Sequence, residues 1–127
     1  MKELIAAALI MTLILGGWII FLHYAEDQSQ HLTKKIRQEI LPDIKNGSWA
    51  AVQKNMDVLN EDWHRFRKIT LYLLHSETIN SIDYSMARAV KYAEAEDESN
   101  TSGELNVIIE QLSFLTSNQK LTLQNIF

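Results

Sequence analysis

WAAVQKNMDVLNEDWHRFRKITLYL, residues 49–73, is the stretch on which the fold turns. Trp49, Val52, Met56, Leu59, Trp63, Phe66, Thr70 and Leu73 recur in steps of three and four. On a helix those steps keep one face in register, so the stretch predicts a long helix, 48–75, with a heptad-type seam whose polar member is Thr70. Toward its end, at ITLYLL (69–74), apolar residues take nearly the whole circumference. A helix apolar all round has to be covered on several sides, so this end is expected in the middle of a bundle.

Working upstream, NGS at 46–48 separates this helix from its predecessor. Gly47 suits the left-handed position that stops a helix, and Ser48 suits the cap of the next one. Before it, Leu32, Ile36, Ile40 and Ile44 lie four apart with Leu41 beside them, a narrow helical stripe over 28–46. Pro42 interrupts that stripe. Proline lacks a donor and clashes with the preceding turn, so a kink or break is expected near Ile40–Pro42.

Downstream, HSETINS (75–81) marks a break, with Asn80, Ser81 or Thr78 as the next cap. Ile79, Ile82, Met86, Ala89, Val90 and Ala93 then mark the buried stripe of a helix over 79–97. EAEDESNTSG (94–103) is acidic and turn-rich and reads as a solvated loop. Thr101 or Ser102 is expected to open a helix over 102–117, with Leu105, Ile108, Ile109, Leu112 and Leu115 facing inward. The tail KLTLQNIF alternates apolar and polar and fits a short extended segment packed on the bundle.

Four glycines and one proline in 127 residues disfavour an all-β chain, which needs frequent turns. The expected class is all-α: an N-terminal transmembrane helix at 1–23, then a small antiparallel bundle of three to four helices at 24–127. The anchor rests on LIAAALIMTLILGGWIIFL, Leu4–Leu22, which holds no charged residue. Nineteen such residues make about 28 Å of helix, close to the hydrocarbon thickness of a bilayer. Trp18 and Tyr24 sit near its end, where interfacial aromatics gather.

A cleaved signal peptide has a shorter apolar core and a small-x-small exit, which FLHYAED does not supply. A retained anchor is therefore expected. Lys2 before the span, with Glu26 and Asp27 after it, favours a cytoplasmic N-terminus and an extracytoplasmic body; Lys34, Lys35 and Arg37 pull the other way. Ala8, Thr12 and Gly16 share a face that could let two spans approach, though ordinary membrane composition also explains them.

Net charge is −4, which gives no general attraction for nucleic acid, and no cysteine is present to make disulfides, thiolate metal sites or a thiol nucleophile. Glu61 and His64 are helix neighbours and could share a metal, but a carboxylate-bridged bundle needs that step on two helices. A surface hydrogen bond or ion pair is the plainer account. His64, Arg65, Arg67 and Lys68 could meet anionic headgroups, yet Asp57, Glu61 and Asp62 lie one or two turns before them and favour a self-paired face. No Gly-x-Ser-x-Gly elbow, His-Glu-x-x-His or phosphate-cradling loop occurs. No catalytic, cofactor or metal residue is therefore assigned, and no enzymatic activity is expected.

The span, NGSWAAV at 46–52, Trp63 with Arg67 leading to LLHSETINSI at 73–82, and the closing LTLQNIF together resemble DUF4363. As a resemblance, that family of domains of unknown function implies short membrane-anchored proteins of Gram-positive spore-forming bacteria, with a helical build and no assigned activity. It also implies a helix-to-helix corner at His75, Ile79 and Ile82. Trp49, Trp63, Arg67 and His75 are the candidate interaction or structural residues. The expected role is a non-enzymatic, membrane-tethered module of the cell envelope that contacts another envelope protein or its own copy. The alternative is an extracytoplasmic bundle that senses a small ligand. Such sensors usually return through the membrane, and this sequence stops at Phe127, so sensing would act through a separate signalling partner.

Overall fold

The computed structural model describes the backbone of residues 1–126 and the side chains of residues 1–117. The described residues are all-α and form four helices: α1 Lys2–Lys45, α2 Trp49–Thr70, α3 Ser76–Glu94 and α4 Glu98–Ile126. Each helix turns back on the last. The packed pairs run round a ring, α1 on α2, α2 on α3, α3 on α4 and α4 back on α1. This is the up-down-up-down arrangement that short connections favour.

The first helix does two jobs. Its apolar N-terminal half buries no residue fully and exposes Leu4, Ile5, Leu9, Ile10, Leu13 and Ile14; only near its end does Phe21 pack, partly buried, against the core. Its second half buries Ala25, Ser29, Leu32, Ile36, Ile40 and Ile44. Pro42 does not break it. Ile36–Ile40 instead form a π-turn, and the Leu41 N–H donates to the Ile36 carbonyl, five residues back. The α-helix resumes at Leu41, so Pro42 falls in a first turn, where its missing N–H is not needed.

The π-turn also explains the stripe. On a regular α-helix every four-residue step overshoots by about 40°, so Leu32 to Ile44 would drift by about 120°. A turn closed by an i−5 bond holds more residues, absorbs the overshoot and keeps all four side chains on the core.

The seam of α2 packs as its spacing predicts from Val52 to Thr70; Trp49 is partly buried against the core. Thr70 is satisfied within its own helix, its hydroxyl donating to the Phe66 carbonyl at 2.9 Å. The expectation fails at the far end. The helix stops at Thr70, and Ile69 and Leu73 are about half exposed, Tyr72 almost fully so. Leu74 takes the inward place that Leu73 was expected to fill. Residues 71–75 form a tight corner, with the Leu73 and Leu74 N–H groups donating to the Thr70 carbonyl at 3.0 and 2.9 Å. The third helix accordingly starts at Ser76, three residues before 79, with His75 at its N-cap position and Thr78 buried inside it.

The region 94–103 is mostly helix, not loop. The chain turns in Ala95–Asp97 alone, because Asp97 caps α4. The Asn100 N–H donates to Asp97 Oδ1 at 3.0 Å, and the Asn100 side chain to Oδ2 at 2.7 Å. Thr101, expected as a cap, is fully buried one turn in, its hydroxyl donating to the Asp97 carbonyl. The stripes of α3 and α4 are buried as expected, with Val90 packed at the edge. Beyond 117, the expected extended tail is helical to Ile126, and Phe127 lies outside the described residues.

Two helix stops are built alike on different residues. After α1, the Gly47 N–H donates to the Ile44 carbonyl and the Ser48 N–H to that of Asp43, with Gly47 at φ +72°. After α3, the Glu96 N–H donates to the Ala93 carbonyl and the Asp97 N–H to that of Tyr92, with Glu96 at φ +55°. Both are Schellman stops, but only the first has glycine in the left-handed position. Ser48 occupies the cap position of α2 without a side-chain cap bond.

Nothing lies within 4 Å of a Cβ added at Gly47, so Gly47→Ala should destabilise through backbone strain alone, by about 1 kcal/mol. The reverse change, Glu96→Gly, should gain about 0.5–1 kcal/mol. Urea unfolding of the full chain in detergent checks both signs together.

Candidate functional site

Three features of the folded body gather polar or exposed chemistry. The first joins two residues that the sequence singled out. Trp63 is buried on α2, and its indole N–H must find an acceptor. It donates to Asp83 Oδ1 on α3 at 2.7 Å, while Arg67 Nε, one turn further along α2, donates to Asp83 Oδ2 at 2.7 Å. One carboxylate thus clamps two residues of the neighbouring helix. Asp83 was missed in the sequence because it falls between the apolar positions of α3 and looks like any solvated acid. The signal available was the need of a seam tryptophan for an acceptor.

Trp49 and His75 do not join this cluster. Trp49 opens α2 at the other end of the bundle and packs against the core. His75 is exposed at the corner. Its carbonyl accepts the Ile79 N–H at 3.2 Å, but its ring makes no cap bond to α3. Backbone, not imidazole, is what this histidine contributes to the corner.

A second polar link ties α3 to α4. Arg88 Nε and Nη2 donate to the two Glu104 oxygens at 2.7 and 3.2 Å, and Nη2 also reaches the buried Ser85 hydroxyl at 3.2 Å. The Arg88 hydrogen bond holds the Glu104 carboxyl below its ordinary value, against a smaller upward push from burial. Asp97 is likewise lowered by the backbone and side-chain bonds from Asn100.

The third feature is an open groove of about 390 Å³ between α1 and α4. Ser29, Thr33 and Arg37 line it from α1, and Leu112, Ser113 and Thr116 from α4. Ser29 is 4% exposed. Its hydroxyl has no hydrogen-bond partner among the described residues. Elsewhere α1 and α2 are tied by polar contacts of low strength: His31 Nε2 lies 3.7 Å from Asp62 Oδ2, and Asn55 Nδ2 lies 3.4 Å from Asp43 Oδ2.

Glu61 and His64 are exposed one turn apart on α2. Among the described residues no group of three or more His, Asp or Glu side chains is placed to hold a metal ion. Of the basic run, Arg67 is taken by Asp83, and Arg65 lies 3.7 Å from Asp62.

Asp83→Ala should leave the Trp63 N–H and Arg67 without their acceptor and cost about 1–3 kcal/mol. Trp63→Phe in that background should then cost much less than Trp63→Phe alone, the coupling being read from denaturant melts of the four proteins. The pH dependence follows from Glu104. Its folded pKa is depressed, so its contribution is present above its ordinary value of 4.5 and lost as pH falls below it. Glu104→Gln should flatten the acid limb of a Tm-against-pH curve below about pH 4.5 and leave its shape near neutrality unchanged.

Among the described residues one stretch, within α1, is long and apolar enough to cross a membrane by length and composition, and none of it is buried in the bundle. No curated protein and no solved structure matches the chain. The domain of unknown function DUF4363 matches residues 19–126, which takes in the whole bundle and the last turn of the apolar stretch. The chain therefore belongs to the DUF4363 family.

Proposed function

We propose that the chain is a membrane-tethered helical interaction module without enzymatic activity, its N-terminus cytoplasmic and its body outside the membrane in the cell envelope of a Gram-positive spore-former. The observation that carries this is the continuity of α1. No residue of its apolar half is fully buried in the bundle, yet the same unbroken helix supplies the core stripe from Ala25 to Ile44. A cleavable leader is read by its peptidase at a flexible exit, whereas here the exit is helical and Ala25 is already buried. Removal of residues 1–22 would cut into the first turn of a load-carrying core helix. Retention as an anchor leaves the core whole.

Contact with another envelope protein, or with a second copy, suits the exposed apolar side chains of the body, which include Tyr84 on α3 and Val107 and Phe114 on α4. These are separate from the α2 seam, which the chain satisfies within itself.

A second reading has one specific observation in its favour. The α1–α4 groove, with its buried Ser29 hydroxyl and the Arg37 and Thr116 side chains, is a place where a small polar ligand could be held, with output through a separate signalling partner.

Protease added to intact cells should trim the body and leave a small membrane-retained fragment; complete protection until lysis would reverse the orientation. Photo-crosslinkers at Tyr84 and Phe114 in intact membranes should capture a discrete second protein or a second copy, and capture of neither would remove the interaction role. For the second reading, a wall fragment or amino acid that raises the Tm of the natural chain should lose its effect in Ser29→Ala.

A further inference from the structure

The corner between α2 and α3 carries the largest unexplained exposure of the folded body. Ile69 is 48% exposed, Tyr72 88% and Leu73 46%. The turn is not frayed. It is held by two bonds to the Thr70 carbonyl, and Leu74 and Leu71 pack inward on either side. Three apolar or amphipathic side chains are thus presented outward together by an ordered turn.

Position decides what covers them. The second helix is antiparallel to α1, and two contacts fix its level. His31 lies 3.7 Å from Asp62, and the Tyr24 and Phe66 rings are 6.3 Å apart. Thr70 lies one further turn, about 6 Å, beyond Phe66, and Leu22, the end of the uncharged segment, lies about 3 Å beyond Tyr24 in the same direction. The corner is therefore level with the last turn of that segment, Trp18–Leu22. Exposed Lys68 immediately precedes Ile69 and exposed Arg65 stands one turn above it, both on the side away from the segment's centre. Cationic heads above and an aromatic with aliphatics below is the order that the headgroup and acyl layers of a bilayer demand.

We propose that residues 69–73 form a second membrane contact, a foot that rests in the interface of the same bilayer that α1 crosses. Tyr72 sits at headgroup level with its ring toward the acyl chains, Ile69 and Leu73 dip beside it, and Lys68 reaches the phosphates. The foot rests on the reading of α1 as a span. Its effect is to fix the tilt of the body, since a helix end and a side contact define a plane where a single helix defines only an axis.

The chain has no cysteine, so single sites can be spin-labelled in the full protein. Tyr72→Cys and Ile69→Cys report the foot, Ile14→Cys the span and Lys54→Cys the far end of α2. Each is placed in nanodiscs loaded with one copy. Labels at 72 and 69 should be relaxed by oxygen and shielded from a water-soluble nickel reagent, as at 14 but shallower, while 54 shows the reverse. If 72 and 69 are as open to nickel as 54 while 14 stays shielded, the foot is wrong and the span stands. If 14 is open as well, the span fails and takes the foot with it. Shielding at 72 that arises only in discs holding two copies would assign the patch to a second chain and overturn the proposal.

Discussion

Helix α1 has to keep one face on a core after presenting every face to a different surrounding, and the rest of the bundle depends on how it does so. Apolar side chains run all round the first half, where no neighbour constrains their angle. From Ala25 on, only one face is wanted. Steps of four would carry that face away from α2 and α4 within three turns. The wide turn at Ile36–Ile40 resets the angle, and Pro42 sits immediately after it, at the place where a proline does least harm. Sequence stripe, π-turn and proline are one solution to one geometric problem, and α2 and α4 can pack only because it is solved.

With the apolar seams in place, the polar links fix which helix neighbours which. A single carboxylate at Asp83 answers both the Trp63 indole and the Arg67 guanidinium. Placing α3 one residue out of register would leave all three unsatisfied, two of them at the core boundary. Arg88 and Glu104 do the same for α3 and α4 nearer the surface, where solvent screening makes the contribution smaller. In the groove between α1 and α4, Ser29 is a buried hydroxyl with no internal partner among the described residues.

The helical class and nearly all core positions were legible because burial on a helix leaves a period, and Leu32, Met56, Ile82 and Leu112 all obey it. Boundaries were less legible where a side chain outweighs composition. EAEDESNTSG looks solvated, and most of it is, yet Asp97 captures two donors from Asn100 and starts a helix inside it. The left-handed stop at Glu96 carries no glycine to announce it. Pro42 was readable as a disturbance but not as a π-turn, because a proline shows the problem and not which backbone solution is adopted. At 69–74 the count of apolar residues was right and the inference from it was not. Apolar all round was taken to mean covered by protein, and the protein leaves half of that turn open. Of the candidate residues, Trp63 and Arg67 meet at Asp83, whereas Trp49 and His75 serve opposite ends of α2. The Trp63 indole announced that an acceptor was needed, but one acid among several has no period to single out Asp83.

The unbroken rod through Leu22 and Ala25 has a mechanical consequence. It provides no swivel at the lipid boundary, so on the proposed reading altitude and heading are both set by the backbone. The Gly47 turn stands about 35 Å from that boundary if the rod is upright, and less if it leans. Nothing tethered this way can sweep the space around it; whatever it meets must come within that short radius. Two copies could pair only flank to flank, with their rods nearly parallel, and never by reaching across from opposed surfaces.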